Sequence, residues 1–332
     1  VAGTKPEAST PTRRPKKRWI VVGVVVVFAA AVWLNNTSAF TDSSGAYKLL
    51  AHRGLAQTFD ISAVTATTNT ARVIDPPQHP YLENTMASIA VSFDTYKADV
   101  VELDVQRTKD GKLALFHDAD LAERTDGTGP VSDHTMAELR KVDVGYGYTA
   151  DDGKTYPFRG KGVGLMPEFG EVLAAFPGRD LLIHMQHGDL ETAKILWTYL
   201  KDLPPEWRDR MSYYGNEIGL KYLRDQEPNA RILTAAMIKS ALLQYELLGW
   251  TGYVPAELHN MELHIPIDYA RYLWGWPEKF VQRMDAVNTR VVLVEGDGDW
   301  SEGFDTPQSL SKVPEGFTGY VWTNRIDLVA DR

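Results

Sequence analysis

An α/β chain folded as a (β/α)8 TIM barrel is predicted by three observations. Strand-like apolar runs alternate with amphipathic helical runs from about residue 47 to 329, the pattern of a parallel sheet covered by helices. About eight strand runs are present, which favours a closed barrel over an open doubly wound sheet. Chemically active side chains gather near the ends of these runs, and no glycine-rich dinucleotide fingerprint or P-loop follows any of them.

The most informative run is Val100-Val-Glu-Leu-Asp-Val105, followed by Asp110-Gly111 and Leu113-Ala-Leu-Phe-His-Asp118. It reads as strand, tight turn and strand in a buried parallel sheet. Glu102 and Asp104 are two residues apart, so both side chains leave the same face. Carboxylates this close repel unless a cation lies between them, and Mg²⁺ or Ca²⁺ takes oxygen ligands. His117 at the end of the following strand adds an imidazole to the same mouth. The competing reading is a solvated carboxylate pair with an incidental histidine.

Composition narrows the function. The chain has 332 residues, 44% hydrophobic and 24% charged, an ordinary globular balance. Residues 1–18 carry a net +5, so the remainder carries −14 within a total of −9. A body this acidic is not a nucleic-acid binder. Cysteine is absent, which excludes disulfides, zinc-thiolate sites and thiol catalysis.

From the N-terminus, residues 1–18 are basic, rich in Pro and Thr, and read as a disordered cytoplasmic segment. Trp19–Leu34 is an uninterrupted apolar run that as a helix rises about 24 Å. Its flanking tryptophans and preceding basic cluster predict a single-pass signal anchor with the body outside the cytoplasm. A cleaved signal peptide is the alternative, with Thr37-Ser38-Ala39 as small residues at a cleavage site and a secreted body. Residues 35–46 read as a linker.

Tyr47–Ala51 is a short strand ending in His52-Arg53-Gly54. These supply proton transfer, positive charge and a close backbone turn at a phosphate-handling mouth. Residues 55–80 read as a long functional loop. Glu83-Asn84-Thr85 opens a helix at 86–96, with Asn84 or Thr85 as its cap and Glu83 facing the metal site. Residues 118–165, rich in Gly, Asp and Tyr, read as a small insertion after the third strand, forming a lobe over the pocket.

Later strands are expected at 181–186, 210–214, 231–234, 290–294 and 319–323. Helices are expected at 168–176, 190–200, 217–224, 238–248, 268–284 and 306–312. His79, His134, His187, His259 and His264 read as surface or capping residues. Trp274, Trp276, Trp300 and Trp322 read as core packing, with a lipid or choline-like pocket as the alternative.

His52-Arg53-Gly54, Glu83-Asn84-Thr85, Glu102-Leu-Asp104 and His117-Asp118, in this order and spacing, resemble the glycerophosphodiester phosphodiesterase family. Val321-Trp-Thr-Asn-Arg-Ile-Asp327 resembles its last strand, and the likeness covers roughly residues 47–329. The resemblance implies a TIM-type barrel, a divalent metal (Mg²⁺ or Ca²⁺, with Mn²⁺ as an option) and hydrolysis of glycerophosphodiesters to a glycerol phosphate and an alcohol. It implies His52 and His117 as the catalytic pair, with Glu102, Asp104 and Glu83 at the metal. Arg53 is read as a phosphate-binding residue from its charge. One departure stands out: His184-Met-Gln186 replaces the family's Glu-X-Lys, so His184 becomes a candidate metal ligand. A phospholipase C- or D-like enzyme, or a degenerate barrel that binds phospholipid headgroups, are the rival functions. The expected partners are a small-molecule or lipid phosphodiester and the membrane.

Overall fold

The computed structural model describes residues 15–39, 45–65, 68–185, 187–296 and 302–330. Residues 1–14, most of the second half of the linker, Gln186 and Trp300 lie outside the described residues. The expectations about the first fourteen residues of the basic segment, the replaced lysine and that tryptophan fall there.

Among the described residues, nine strands form one sheet: β1 (Lys48–Ala51), β2 (Val100–Arg107), β3 (Leu113–Leu115), β4 (Asp180–Met185), β5 (Met211–Gly215), β6 (Arg231–Leu233), β7 (Glu262–Pro266), β8 (Arg290–Val294) and β9 (Tyr320–Thr323). Eight run parallel in the order β6-β5-β4-β2-β1-β9-β8-β7. A parallel bridge between Ile232 and Met261 brings the two ends together, so the (β/α)8 barrel is nearly closed. Eight predicted runs met eight barrel strands, but the sets differ by one member each.

The first difference is β3. It pairs antiparallel with the far end of β2 and is not a barrel stave. Asp110-Gly111 forms the turn, with Gly111 at φ 74°. The chain thus doubles back, and Phe116 N–H donates to the Asp104 carbonyl at 3.1 Å. His117 therefore reaches the mouth on a returning hairpin arm rather than on a parallel strand.

The second difference is β7, which the sequence reading passed over. Its inward residues are Glu262 and His264, which leaves only Leu263 and Ile265, both buried under the helices, as the apolar part of the run. His264 is correspondingly not a surface histidine. It packs edge-on to Trp322, with ring centroids 5.2 Å apart. At the N-terminal end of the barrel, the Arg290 guanidinium binds Asp180 at 2.9 Å and Ser212 at 3.1 Å, and approaches Glu262 at 3.5 Å. Charge pairing there serves stability, because barrel chemistry is built at the opposite end.

The outer helices bury one apolar stripe each. Leu190–Leu200 buries Ala193, Leu196 and Leu200, starting from an Asp189 cap, the spacing of an amphipathic helix. The single helix expected over 268–284 is two, Ile267–Ala270 and Glu278–Asp285. Pro277 opens the second, where a missing N–H costs nothing. Thr85 caps the helix beginning at Met86 through a capping box with Ser88.

Residues of the 118–165 insertion pack on a small core of their own. Leu121, Val131, Met136, Leu139, Val144, Tyr148 and Phe158 cluster with Phe116, Ile74 and Leu82. This lobe ties the insertion to the loop after β1 and to the hairpin arm carrying His117. The N-terminal apolar stretch is one helix, Pro15–Asn36. It begins earlier than expected, so Lys16, Lys17 and Arg18 are helical rather than part of a disordered tail.

Candidate active site

The strand register places the chemistry in one row. Asp104 of β2, His184 of β4 and Tyr214 of β5 are direct neighbours, so they line the interior side by side. The His184 and Tyr214 rings stack at 3.8 Å with 7° between their planes. One step below, Glu102 accepts a hydrogen bond from the Tyr214 hydroxyl at 2.6 Å. Glu102 and Asp104 are fully buried.

His52 stands just beyond the end of β1, beside Asn324 just beyond β9. Its Nδ1 lies 2.6 Å from Asn324 Oδ1. Asn324 Nδ2 donates to Asp305 at 2.8 Å, which fixes the amide so that Oδ1 faces His52. The His52 proton is therefore on Nδ1, and Nε2 carries the lone pair, accepting from Arg53 Nε at 3.1 Å. Burial, reinforced by Arg53, pushes the His52 pKa well down, so the ring is neutral at physiological pH.

The turn after His52 is tight. Gly54 has φ 75°, and a Cβ there would meet the Ser88 backbone at 2.8 Å, so only glycine fits. Arg53 and Asn84 both adopt left-handed backbone conformations, φ 54° and 55°, uncommon for residues with side chains. Strain of this kind clusters at functional sites. Here it aims Arg53 N–H at Glu102 (2.9 Å) and the Asn84 amide at Asp104 (2.8 Å).

Charges alternate across the mouth. Arg53 bridges Glu83 at 2.8 Å and Asp104 at 3.2 Å. Arg124, from the insertion, binds the other Glu83 oxygen at 3.0 Å and pairs with Asp118. Against burial, Arg124 and Arg53 hold the Glu83 carboxyl below its usual range. Arg124 likewise holds buried Asp118 down. His117 turns Nδ1 to Asp118 at 2.7 Å and lies near enough to bear electrostatically on His52 and Asp104.

Among the described residues, Glu102, Asp104 and His184 bring one donor atom each within 4.8 Å of one another. A single ion with bonds of about 2.0–2.6 Å fits among donors so spaced. Burial and Asp104 push the Glu102 carboxyl well up, while Arg53 holds Asp104 well down against burial. Two buried carboxylates this close ionise together only with added positive charge, which a divalent ion meets. Glu83 falls outside this cluster. In this arrangement it serves the two guanidiniums and the Tyr148 hydroxyl (3.3 Å).

Four contributors escaped the sequence reading: Tyr214, Arg124, Asp118 as partner of His117, and the Asp305–Asn324 pair. Asn324 was within reach, since it follows the strand that resembled the family's last one. Arg124 was not, because nothing in Arg124-Thr-Asp-Gly distinguishes a buried guanidinium from a turn residue.

Residues 40–263 match the model of the Glycerophosphoryl diester phosphodiesterase family. The chain belongs to that family, whose members are phosphoric diester hydrolases. A glycerophosphodiester phosphodiesterase of Bacillus subtilis is 46% identical over 83 residues, 24% of this chain and 27% of the relative. One from Caldanaerobacter subterraneus is 34% identical over 104 residues, 31% and 39% of the two chains. The matched segments thus span between about a quarter and two fifths of these curated relatives. Solved structures cover more and show the fold. A glycerophosphodiester phosphodiesterase from Agrobacterium tumefaciens aligns over 86% of this chain and 100% of its own, with TM-score 0.55 and 22% identity. The glycerophosphoryl diester phosphodiesterase domain of an uncharacterized Mycobacterium tuberculosis protein covers 84% and 96%, with TM-score 0.58 and 15% identity.

Proposed function

We propose that this protein is a membrane-anchored, divalent-metal-dependent phosphodiesterase that cleaves glycerophosphodiesters, with lysophospholipids as related substrates. The observation that carries the reading is the buried Glu102–Asp104–His184 donor set beside a neutral His52. In this reading Glu102, Asp104 and His184 hold the ion, and Glu83 positions Arg53 and Arg124. A bound Mg²⁺, Ca²⁺ or Mn²⁺ supplies charge stabilisation on the phosphate oxygens.

The remaining work belongs to the chain. Arg53 leaves part of its ion pairing to bind a phosphate oxygen. His52 Nε2 takes the proton from the attacking hydroxyl, either water or the substrate's own glycerol. The new P–O bond forms as the bond to the alcohol breaks, and His117 Nε2 delivers a proton to the departing oxygen. Attack by water gives the glycerol phosphate directly, whereas attack by the glycerol hydroxyl gives a cyclic phosphate that water then opens. Asn324 is a positioning residue that holds the His52 tautomer. Asn324→Ala is expected to lower kcat by roughly 10–100-fold with little change in KM, since the lost term is alignment of the base. Equal losses in kcat and KM-governed binding count against that role.

The test of the whole reading is turnover by the purified full chain in detergent. The panel is glycerophosphocholine, glycerophosphoethanolamine, lysophosphatidylcholine and inositol phospholipids, with and without EDTA. EDTA-sensitive release of a glycerol phosphate is expected. Absence of metal-dependent turnover on every member points to headgroup binding, the second reading, which His184 in place of a carboxylate favours. Ordered cleavage of inositol lipids alone points to a phospholipase C-like activity.

His184 also sets an expectation for the metal. An imidazole in the shell weakens Mg²⁺ and Ca²⁺ relative to a third carboxylate and favours Mn²⁺. His184→Glu is expected to tighten Mg²⁺ about tenfold and to erase a Mn²⁺ preference, read from metal titrations of activity. An unchanged metal order in the variant would place His184 outside the shell.

A further inference from the structure

The last turns of helix Pro15–Asn36 do not stand clear of the barrel. Phe28 packs edge-on against Trp250, ring centroids 5.6 Å apart. The Asn35 and Asn36 side chains both donate to the Trp250 carbonyl, at 3.1 and 2.9 Å. Arg283 clamps the helix end, donating to the Asn35 carbonyl at 2.8 Å and to Asn36 Oδ1 at 3.1 Å. The same guanidinium reaches the Tyr245 hydroxyl and the Gly249 carbonyl. A cation on the last carbonyls is the favoured partner of a helix C-terminus.

Depth follows from this contact. Lys17–Asn36 is long and apolar enough to cross a membrane, and 20 residues rise about 30 Å, one hydrocarbon thickness. Phe28 lies eight residues before Asn36, about 12 Å back along the axis. A barrel surface that touches Phe28 therefore overlaps the last two turns of the span. That surface is apolar. Leu243, Leu247 and Leu248, on the helix that leads into Trp250, and Tyr253, three residues after it, are exposed, and Trp274 joins that helix through its indole N–H to the Glu246 carbonyl at 2.8 Å. An open cleft of about 590 Å³ between Phe28, Val32, Trp33 and the Trp274 and Trp276 rings continues the same face.

We propose that the barrel docks through this patch into the outer part of the lipid leaflet from which its helix emerges, with acyl chains filling the cleft. The proposal rests on the reading of Pro15–Asn36 as a retained membrane anchor. A net acidic body gives no electrostatic pull towards anionic lipid, so the contact is made by apolar side chains. Leucine, tryptophan and tyrosine at the level of the headgroups are the residues that make such contacts.

The chain has no cysteine, so single-cysteine variants of the full chain label cleanly. Leu247→Cys, Val25→Cys and Val163→Cys, each carrying a small fluorophore, are compared in phosphatidylcholine nanodiscs. Val163 is exposed on the insertion and reports the aqueous side. Nitroxide on the lipid chains is expected to quench at Val25 and Leu247 but not at Val163. Iodide is expected to quench Leu247 at least about threefold less than Val163, as a site sunk several ångströms into the interface requires. Raising salt from low to high leaves this difference in place. A label at Tyr253→Cys becomes iodide-accessible when Leu243→Glu and Leu247→Glu are added. Lipid quenching at Val25 with full iodide access at Leu247 overturns docking and leaves the anchor standing. No lipid quenching at Val25 overturns both.

Discussion

His52→Ala and His117→Ala are each expected to lower turnover by roughly 10²–10⁴, the usual worth of a positioned acid or base. Affinity for a non-hydrolysable glycerophosphodiester analogue is expected to change far less, because the proposed mechanism assigns the phosphate contacts to Arg53 and the metal site. The two variants differ in what they leave behind. His52 accepts from Arg53 and rests on Trp322, ring centroids 4.6 Å apart, so its removal frees Arg53 to settle on Glu83 and Asp104. His117 is coupled to Asp118 and through it to Arg124. Its removal leaves that ion pair intact, so His117→Ala is the cleaner probe of proton donation. Substrates with a more acidic leaving alcohol need less protonation, so the His117→Ala defect is expected to shrink on them while the His52→Ala defect persists. Near-normal turnover in either variant removes that histidine from the mechanism.

The proposed order of acid and base had no signal in the sequence, and the reason is physical. A strand-end histidine announces itself by its neighbours in the chain, whereas its tautomer is set by neighbours in space. Asn324, 272 residues away, decides which nitrogen of His52 carries the proton. The carboxylates were legible because Glu102 and Asp104 sit two apart in an apolar run, a spacing that has few other uses. Arg124 and Tyr214 were not, because one comes from an irregular lobe and the other from an unremarkable Tyr-Tyr pair. The same logic governs the fold. Strands were visible where Val, Leu and Ile cluster, as in β2 and β8, and β7 was hidden because Glu262, His264 and Pro266 leave it only Leu263 and Ile265. The hairpin arm β3 was mistaken for a stave because an apolar tripeptide looks the same in either direction.

That hidden strand carries the second large expected effect, a loss of stability in mild acid. Burial, with Arg290 adding to it, pushes the His264 imidazole down to about 3. Its Nε2 has no hydrogen-bond partner, and Trp322 and Tyr214 present aromatic faces to it. Of the charged groups nearby, Glu262 is 4.0 Å from Nε2 and is itself partly neutralised by Arg290. In the unfolded chain the same imidazole titrates near 6.5. Above that pH both states are neutral and His264 contributes no pH dependence. Below it the unfolded chain binds a proton that the folded chain refuses, so stability falls by about 1.4 kcal/mol per pH unit. Integrated down to the folded value, the loss is about 5 kcal/mol, a large share of the ~5–15 kcal/mol that a domain has. Glu262 works the other way, since burial raises its pKa and protonation favours the fold. Comparing the protein with His264→Phe isolates the histidine. Phe keeps an aromatic ring against Trp322 and gives up no Nε2 hydrogen bond, so stability at pH 8 is expected to change by less than about 1.5 kcal/mol. Urea unfolding at pH 8, 6 and 5 is expected to show a shallower acid loss in the variant, by roughly 2 kcal/mol at pH 5. Identical pH profiles for the two proteins would mean that the folded barrel accepts the proton, with the imidazolium held by Glu262.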